Sequence, residues 1–450
     1  MLTLQFGQCG NQVGHTLFST VAQDLYSANT GVPSKRNSDY VQAGFDTWFK
    51  ELSKNGKHLA RAILVDTEQK VVNTVCSSNE SNSMWNYSPA NIVCCAGGGS
   101  ANNWGYGHYI KGPQLSSAAL EAVRHEVERA DTFQGFLAIL SSAGGTGSGV
   151  GSYLMEKIRD EYPTKTMASS IVFPYGSGEV CTQNYNTLLT LAKFIDITDV
   201  AILFENDQIH GICENLTKVP NTNFNDLNHV IGQKLAAVLQ PVLGTTNILS
   251  TLVHRLTPHP QYKIATIKTS LLALPSCQLY DGNYKWNSIV WHLKQMLRAP
   301  ALNLNLADME TKMPSNSIPS RTDFAYSKSV SNILITRGSS IGNDTIVPVE
   351  LNDEKLYADW VPHVEKIAHL HQPRKLLGKD KIAALVANNS QLHRPIDAIV
   401  DKAWNTYIHS AFLHQYKQHG VEEDDFLQAF AKIENIVKVY RELCSEEIIS

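Results

Sequence analysis

The sequence predicts an α/β protein: a doubly wound parallel sheet, then a long central helix, a smaller α+β second domain and a helical C-terminal region. Three observations carry that expectation. Short apolar strands in the first two hundred residues end in turns rich in Gly, Asn or Asp and give way to helix-period segments. One long amphipathic stretch follows, from Asn225 to Leu239. Two apolar stripes at helical spacing mark the last part of the chain.

The 450 residues are enough for roughly two to four domains. With 43% hydrophobic and 18% charged residues, the composition is that of a folded protein. The 38 basic and 42 acidic side chains leave a formal net charge of −4, so no basic field is expected to grip nucleic acid. The cysteines show no C-x-x-C and no metal-like pairing with His at short spacing, and read as reduced thiols. No signal-peptide pattern and no run of about 18 apolar residues occurs. No membrane partner is therefore expected, and the expected compartment is cytosol or nucleus.

Leu2 to Phe6 makes the first strand and stops at Gly7-Gln8-Cys9-Gly10-Asn11-Gln12, after which Val13, Leu17, Phe18 and Val21 recur at helical spacing. Arg61 to Val65 stops at Asp66. Gly135 to Leu140 stops at Ser141, followed by a Gly-rich loop and a helix through Leu154, Ile158 and Tyr162. Ile171 to Phe173 stops at Pro174, and Val200 to Phe204 stops at Glu205-Asn206. Strand ends that deliver polar loops to one edge place a ligand at the carboxyl ends of the sheet. The helix from Asn225 carries Leu227, Val230, Ile231, Leu235, Val238 and Leu239 on one face. Beyond it, Tyr262 to Ile267 and Ile333 to Thr336 read as strands and Ile289 to Leu297 as a helix. Ile396, Val400, Trp404 and Tyr407, then Phe426, Phe430, Ile433 and Val437, mark the last helices. The acids of Gly420-Val421-Glu422-Glu423-Asp424-Asp425 stand at the positive end of the second. The expected boundaries are 1–205 for the sheet domain, 206–244 for a loop and the central helix, 245–375 for the second domain and 376–450 for the helical region.

Ala143-Gly144-Gly145-Thr146-Gly147-Ser148-Gly149 sets four glycines and two hydroxyls between a strand and a helix, where backbone N–H groups can approach a diphosphate without Cβ obstruction. The alternative is a tight turn that binds nothing. Neither G-x-x-x-x-G-K-[ST] nor G-x-G-x-x-G occurs, so a P-loop and a dinucleotide fold are excluded.

This loop resembles the signature loop of the tubulin and bacterial-division GTPase superfamily, and Gly7-Gln8-Cys9-Gly10-Asn11-Gln12 resembles tubulin's first strand-to-helix turn. Further resemblances run along nearly the whole chain: Asn102-Asn103-Trp104, Gly107-His108-Tyr109, Tyr185-Asn186, Asn206, Asp226-Leu227-Asn228-His229 and Ala411-Phe412-Leu413-His414. Phe173 to Val180, Gln183 to Asn186, Pro258-His259-Pro260, Pro395-Ile396-Asp397, Lys402 to Asn405 and Gly420 to Phe426 resemble the delta type more than the alpha or beta type.

The resemblance implies a tubulin-like GTPase domain that binds GTP or GDP with Mg²⁺. Gln8, Cys9 and Gln12 sit where a helix begins and would reach phosphate or base, or else only cap the helix. Ser141, Ala143, Gly144, Gly145, Thr146, Gly147, Ser148 and Gly149 would cradle the phosphates, with Ala101 and Asn102 facing the terminal phosphate from Gly97-Gly98-Gly99-Ser100. Asn206 and Asn228 each offer a donor and an acceptor to the guanine edge. Phe224 would stack on the purine or anchor the core. Asp66 and Glu68 are suited to Mg²⁺, Glu68 being the better placed; a solvated acidic turn is the alternative, because Gln69 stands where the family carries proline.

Three departures shape the functional expectation. Gln183 stands where alpha- and beta-tubulin have a ribose-contacting Glu, with Glu179 as a nearby substitute. The acid with which alpha-tubulin activates water on the subunit beneath falls at Thr251, and no Asp or Glu occurs from Leu227 to Tyr280. Residues 431–450 mix Glu434, Glu442, Glu446 and Glu447 with Lys432, Lys438 and Arg441, unlike a Glu-rich tail, so tail-directed motors are not expected partners. The expected protein is a GTP-binding structural subunit of the cytoskeleton that stacks longitudinally on alpha-, beta- or epsilon-tubulin at centrioles and basal bodies. Its GTPase activity is expected to be weak and assembly-dependent. The alternatives are a free-standing GTPase and a divergent alpha- or beta-type lattice subunit.

Overall fold

The strands of the computed structural model are, in chain order, β1 (Leu2–Phe6), β2 (Phe49–Leu52), β3 (His58–Ala60), β4 (Ala62–Asp66), β5 (Trp85–Asn86), β6 (Ile92–Cys94), β7 (Phe136–Ser141), β8 (Met167–Phe173), β9 (Val200–Glu205), β10 (Ile264–Thr269), β11 (Ser329–Gly338), β12 (Ile367–Gln372) and β13 (Lys381–Asn389). The α-helices are α1 (Gly7–Leu25), α2 (Ser34–Trp48), α3 (Gln69–Ser77), α4 (Gly112–Glu128), α5 (Gly151–Glu161), α6 (Gln183–Ile197), α7 (Asn206–Thr217), α8 (Phe224–Leu239), α9 (Ile248–Leu256), α10 (Trp286–Gln295), α11 (His363–Lys366), α12 (His393–Ile408), α13 (Leu413–Lys417) and α14 (Glu423–Glu442). The structure describes residues 1–52, 56–77, 84–95, 98–178, 180–217, 222–270, 285–297, 327–338 and 349–443.

A 10-stranded sheet runs in the order β12-β11-β13-β10-β9-β8-β7-β1-β4-β6. From β6 to β10 every pair is parallel, so the ends of β1, β4, β7, β8 and β9 all meet one edge, as the sequence predicts. At β13 the pairing becomes antiparallel on both sides, and β11 with β12 is parallel again at the far edge. A 3-stranded sheet, β2-β3-β5, lies apart from it.

Parallel strands covered on both faces must be apolar throughout, and β4 and β8 are buried at every position. Alternation then sorts the faces. Leu137 and Ile139 of β7 pack with Val13 and Leu17 of α1 and Leu235 and Val238 of α8. Phe136, Ala138 and Leu140 point the other way, onto Leu154 of α5, Leu188 of α6 and Phe430 and Ile433 of α14. A third core joins Trp286, Ile289 and Leu293 of α10 to Leu334 and Leu385. Among the described residues no helix is long and apolar enough to cross a membrane.

Two differences from the sequence reading are local. Gly135 stays outside β7 with φ +135°, a conformation its missing Cβ allows. Residues 381–389, inside the stretch expected to be helical, form β13 instead. Their contiguous apolar run carries no period of its own, and pairing with β10 and β11 decides the outcome.

The central helix α8 is secured at both ends. At its start Asn223 accepts from the N–H groups of Asn225 and Asp226, and the Asp226 carboxylate accepts from the Asn223 N–H in a capping box. At its end the buried Arg337 guanidinium donates to the carbonyls of Ala237, Gln240 and Pro241 at 2.8, 2.6 and 3.0 Å, a cation on the negative end of the helix dipole. Beside it the buried Asp24 of α1 accepts from Arg374 at 2.9 Å, Tyr40 at 2.8 Å and Gln240 at 3.0 Å. These bonds clasp α1, α2, α8 and the β12–β13 connection together.

Acid sensitivity follows from a buried imidazole. His108 lies in the turn Tyr106–Lys111, stacked on Trp104 with ring centroids 4.3 Å apart. Desolvation, with Lys193 adding to it, lowers its pKa from 6.5 to about 4. Between those values the unfolded chain binds a proton that the folded chain does not, so stability is complete above about pH 6.5 and falls as pH drops, by up to about 1.4 kcal/mol per unit. Urea denaturation at pH 7 and pH 5 is expected to show that loss. His108→Phe, which keeps the stack and cannot titrate, is expected to show a smaller one.

Candidate functional site

The site is assembled from the polar loops at the carboxyl edge of β1, β4, β7, β8 and β9. The chain leaves β1 at Gly7, whose φ is +69°, and a Cβ there would stand 2.8 Å from the backbone N of Gly147. The first turn and the Gly-rich loop are therefore in contact. Gln8 is exposed, while Cys9 and Gln12 are half-buried at the start of α1. Burial pushes the Cys9 thiol up to about 12, which keeps it neutral. The side-chain amides of Gln8 and Gln12 bond to no described residue.

After β7 the loop Ser142–Gly145 leads into one wide turn, Thr146–Val150, and then α5. A Cβ at Gly145 would lie 2.5 Å from the Ser100 carbonyl oxygen and 2.8 Å from the Asn103 N, so glycine is what lets the loop press against residues 98–105. Three hydroxyls converge there: Thr146 Oγ1 is 2.7 Å from Thr67 Oγ1 and 2.9 Å from Ser100 Oγ. Ser141 Oγ accepts from the Ala143 N–H at 3.3 Å. Ser148 is buried and its hydroxyl donates to the Gly144 carbonyl, so Ser148 builds the loop from beneath, and Gly149 is buried alongside it. Ala143, Gly144 and Thr146 remain on the partly open side, with Gly147 buried between the turns.

Ala101 and Asn102 are exposed and occupy the left-handed region with φ +48° and +49°, unusual for two consecutive residues with side chains. What holds them there is a residue outside the expected set. Asn186, fully buried on α6, donates to the Asn102 carbonyl at 2.8 Å and the Ala143 carbonyl at 2.6 Å. Its oxygen accepts from the Trp104 N–H at 2.9 Å and the Tyr416 hydroxyl at 2.6 Å. One amide thus ties the Gly-rich loop, the facing loop and the C-terminal helices. The Tyr185-Asn186 pair was a legible motif. Its structural role was not, nor were those of Thr67 and Ser100.

Asp66 closes β4 and is buried. It accepts from the Glu68 N–H at 3.1 Å and from Asn11 Nδ2 at 3.3 Å, and desolvation raises its pKa to about 6. Glu68 is exposed beside Gly99, and its carboxylate bonds to no described residue. The donor chemistry fits a hard cation: a free carboxylate in Glu68 and, behind it, a carboxylate already engaged by the turn.

Gln183 opens α6, buried, and donates to the Tyr175 carbonyl at 2.9 Å. A carboxylate could not make that bond, which gives the amide at this position a local reason. Glu179 lies outside the described residues, as does Gly97. Asn206 begins α7 half-buried, Asn228 lies buried on the first turns of α8, and neither amide bonds to a described residue. Phe224 is the first residue of α8 and is 63% exposed, so it is no core anchor.

The chain matches the Tubulin/FtsZ family GTPase domain over residues 1–214. It is 34% identical to the tubulin delta chains of Macaca fascicularis and Homo sapiens over 453 residues, which covers 98% of this chain and 99% of each relative. It is 27% identical to the tubulin beta chain of Pneumocystis carinii over 446 residues, 98% of this chain and 95% of that one. A GTPase domain of this family implies guanine-nucleotide binding. With the parallel sheet, the Gly-rich loop and the loops around it, these likenesses show that the chain belongs to the tubulin family, where it is more similar to these delta chains than to this beta chain.

Proposed function

We propose that this chain is a delta-type structural subunit that binds GTP or GDP, stacks on alpha-, beta- or epsilon-tubulin, and contributes to the triplet microtubules of centrioles and basal bodies. The observation that carries the nucleotide part is the state of the polar edge. Asn206, Asn228, Gln8 and Gln12 leave their amides without a partner in the described structure, and the turns after β1 and β7 meet at Gly7 and Gly147, where a Cβ would not fit. Asn206 and Asn228 would take the guanine edge and Phe224 its face. Backbone N–H groups of Ala143 to Gly147 with the hydroxyl of Thr146 would take the phosphates, and Ala101 and Asn102 would meet the terminal one. Glu68, with Asp66 behind it, would hold Mg²⁺, which when bound offsets phosphate charge.

The delta-type reading is favoured over a conventional alpha-type lattice subunit by Thr251. It stands on α9, where the family's water-activating acid belongs, and its hydroxyl donates to the Asn247 carbonyl of its own helix at 2.9 Å. The test is a pair of measurements on the purified monomer. Saturable binding of GTP or GDP with negligible turnover supports the proposal; multiple turnover by the monomer favours the enzyme.

A further inference from the structure

Phe224 keeps most of its surface exposed, yet its ring centroid lies 6.2 Å from that of Tyr175. Tyr175 belongs to the loop between β8 and α6, and that loop is tied down from three helices. The Tyr175 hydroxyl lies 3.1 Å from His210 Nδ1, and His210 Nε2 lies 3.3 Å from Glu214 Oε1. The Tyr175 carbonyl accepts from Gln183. At Gly176 the N–H donates to Asp207 at 2.7 Å and the carbonyl accepts from Lys402 of α12 at 2.7 Å. Asn206, Asp207 and His210 all stand in the first turns of α7, so the helix that begins with a proposed base ligand also anchors the loop.

We infer that Tyr175 is a positioning residue for the purine, fixing the orientation of the Phe224 ring on which the base stacks; this rests on the guanine site proposed above. An exposed aromatic ring must lose side-chain freedom when a base lies on it, and a tilted ring contact in the 4.5–7 Å range restricts that freedom in advance. Tyr175 can do so because it is itself held at both ends, by His210 through its hydroxyl and by Gln183 through its carbonyl. The relay Glu214, His210, Tyr175, Phe224 ends at the base and touches no phosphate ligand named above.

That separation gives the test. Dissociation constants for GDP and for inorganic pyrophosphate are measured by calorimetry on nucleotide-stripped wild type, Tyr175→Phe and Tyr175→Ala. Tyr175→Ala is expected to weaken GDP about three- to tenfold and to leave pyrophosphate unchanged, while Tyr175→Phe, which keeps the ring and loses only its tie to His210, is expected to show a smaller loss of GDP binding. Unchanged or tighter GDP binding by Tyr175→Ala overturns the inference, as does an equal loss for GDP and pyrophosphate. Wild type that binds pyrophosphate but not GDP overturns the guanine site itself, a different result from wild-type GDP binding that Tyr175→Ala does not change.

Discussion

An Asn186→Ala protein is expected to unfold about 3–5 kcal/mol more easily than wild type and to emerge from purification without nucleotide. The side chain serves four buried groups: the carbonyls of Asn102 and Ala143, the Trp104 N–H and the Tyr416 hydroxyl. Alanine removes all four bonds. A buried polar group left without its partner costs about 1–3 kcal/mol, and the Asn102 carbonyl keeps a second donor in Thr182 at 3.1 Å, which tempers the sum. The nucleotide effect is separate in origin. Without Asn186, nothing but Thr182 among these bonds holds Asn102 in its left-handed conformation, so the loop facing the terminal phosphate loses its shape. Asn186→Asp is a sharper control, since a carboxylate can still accept from Trp104 and Tyr416 but faces two carbonyl oxygens. Urea denaturation with nucleotide content measured on the same samples checks both parts. A loss below about 1 kcal/mol with full nucleotide content would contradict the role given to Asn186.

The second large effect is a gain. We propose that this chain, stacked above another tubulin, leaves that partner's GTP without a general base, because residues 227–280 contain no carboxylate. Thr251→Glu restores an acid at the α9 position. If the stacking is of the kind proposed, turnover on the partner is expected to rise on the order of a hundredfold over the wild-type mixture, the lower end of what a positioned base contributes. Thr251→Gln, of the same shape and without basicity, is expected to give no rise. The measurement is phosphate release from the partner in mixtures with each form of this chain. Wild type that stimulates as strongly as Thr251→Glu would show that the missing acid is supplied elsewhere.

The parts of this molecule that were legible in the sequence are those written in short range. Gly7, Gly145 and Gly147 sit between apolar strands and helix-period segments, and a glycine run in that context allows little besides a close backbone approach. The capping of α14 by Glu422 and Asp425 is likewise local. What could not be read depends on distant partners. Asn186 resembles any asparagine at the buried side of a helix until residues 102, 104, 143 and 416 are brought to it. Thr67 and Ser100 become part of the site only because β4 and the loop before α4 converge on Thr146. Gln183 read as a lost charge; the structure gives it a bond to the Tyr175 carbonyl that a carboxylate cannot make. β13 was hidden because an apolar run of its composition suits a buried strand or a buried helix equally, and its neighbours in the sheet settle the matter.

The nucleotide pocket is tested most directly by denaturing the purified, folded chain and identifying what it releases. About one guanosine di- or triphosphate per chain is the expected result, with the same nucleotide taken up again on refolding or exchange. Folded protein that releases no guanosine phosphate, and takes up none when GTP and Mg²⁺ are added, would contradict it.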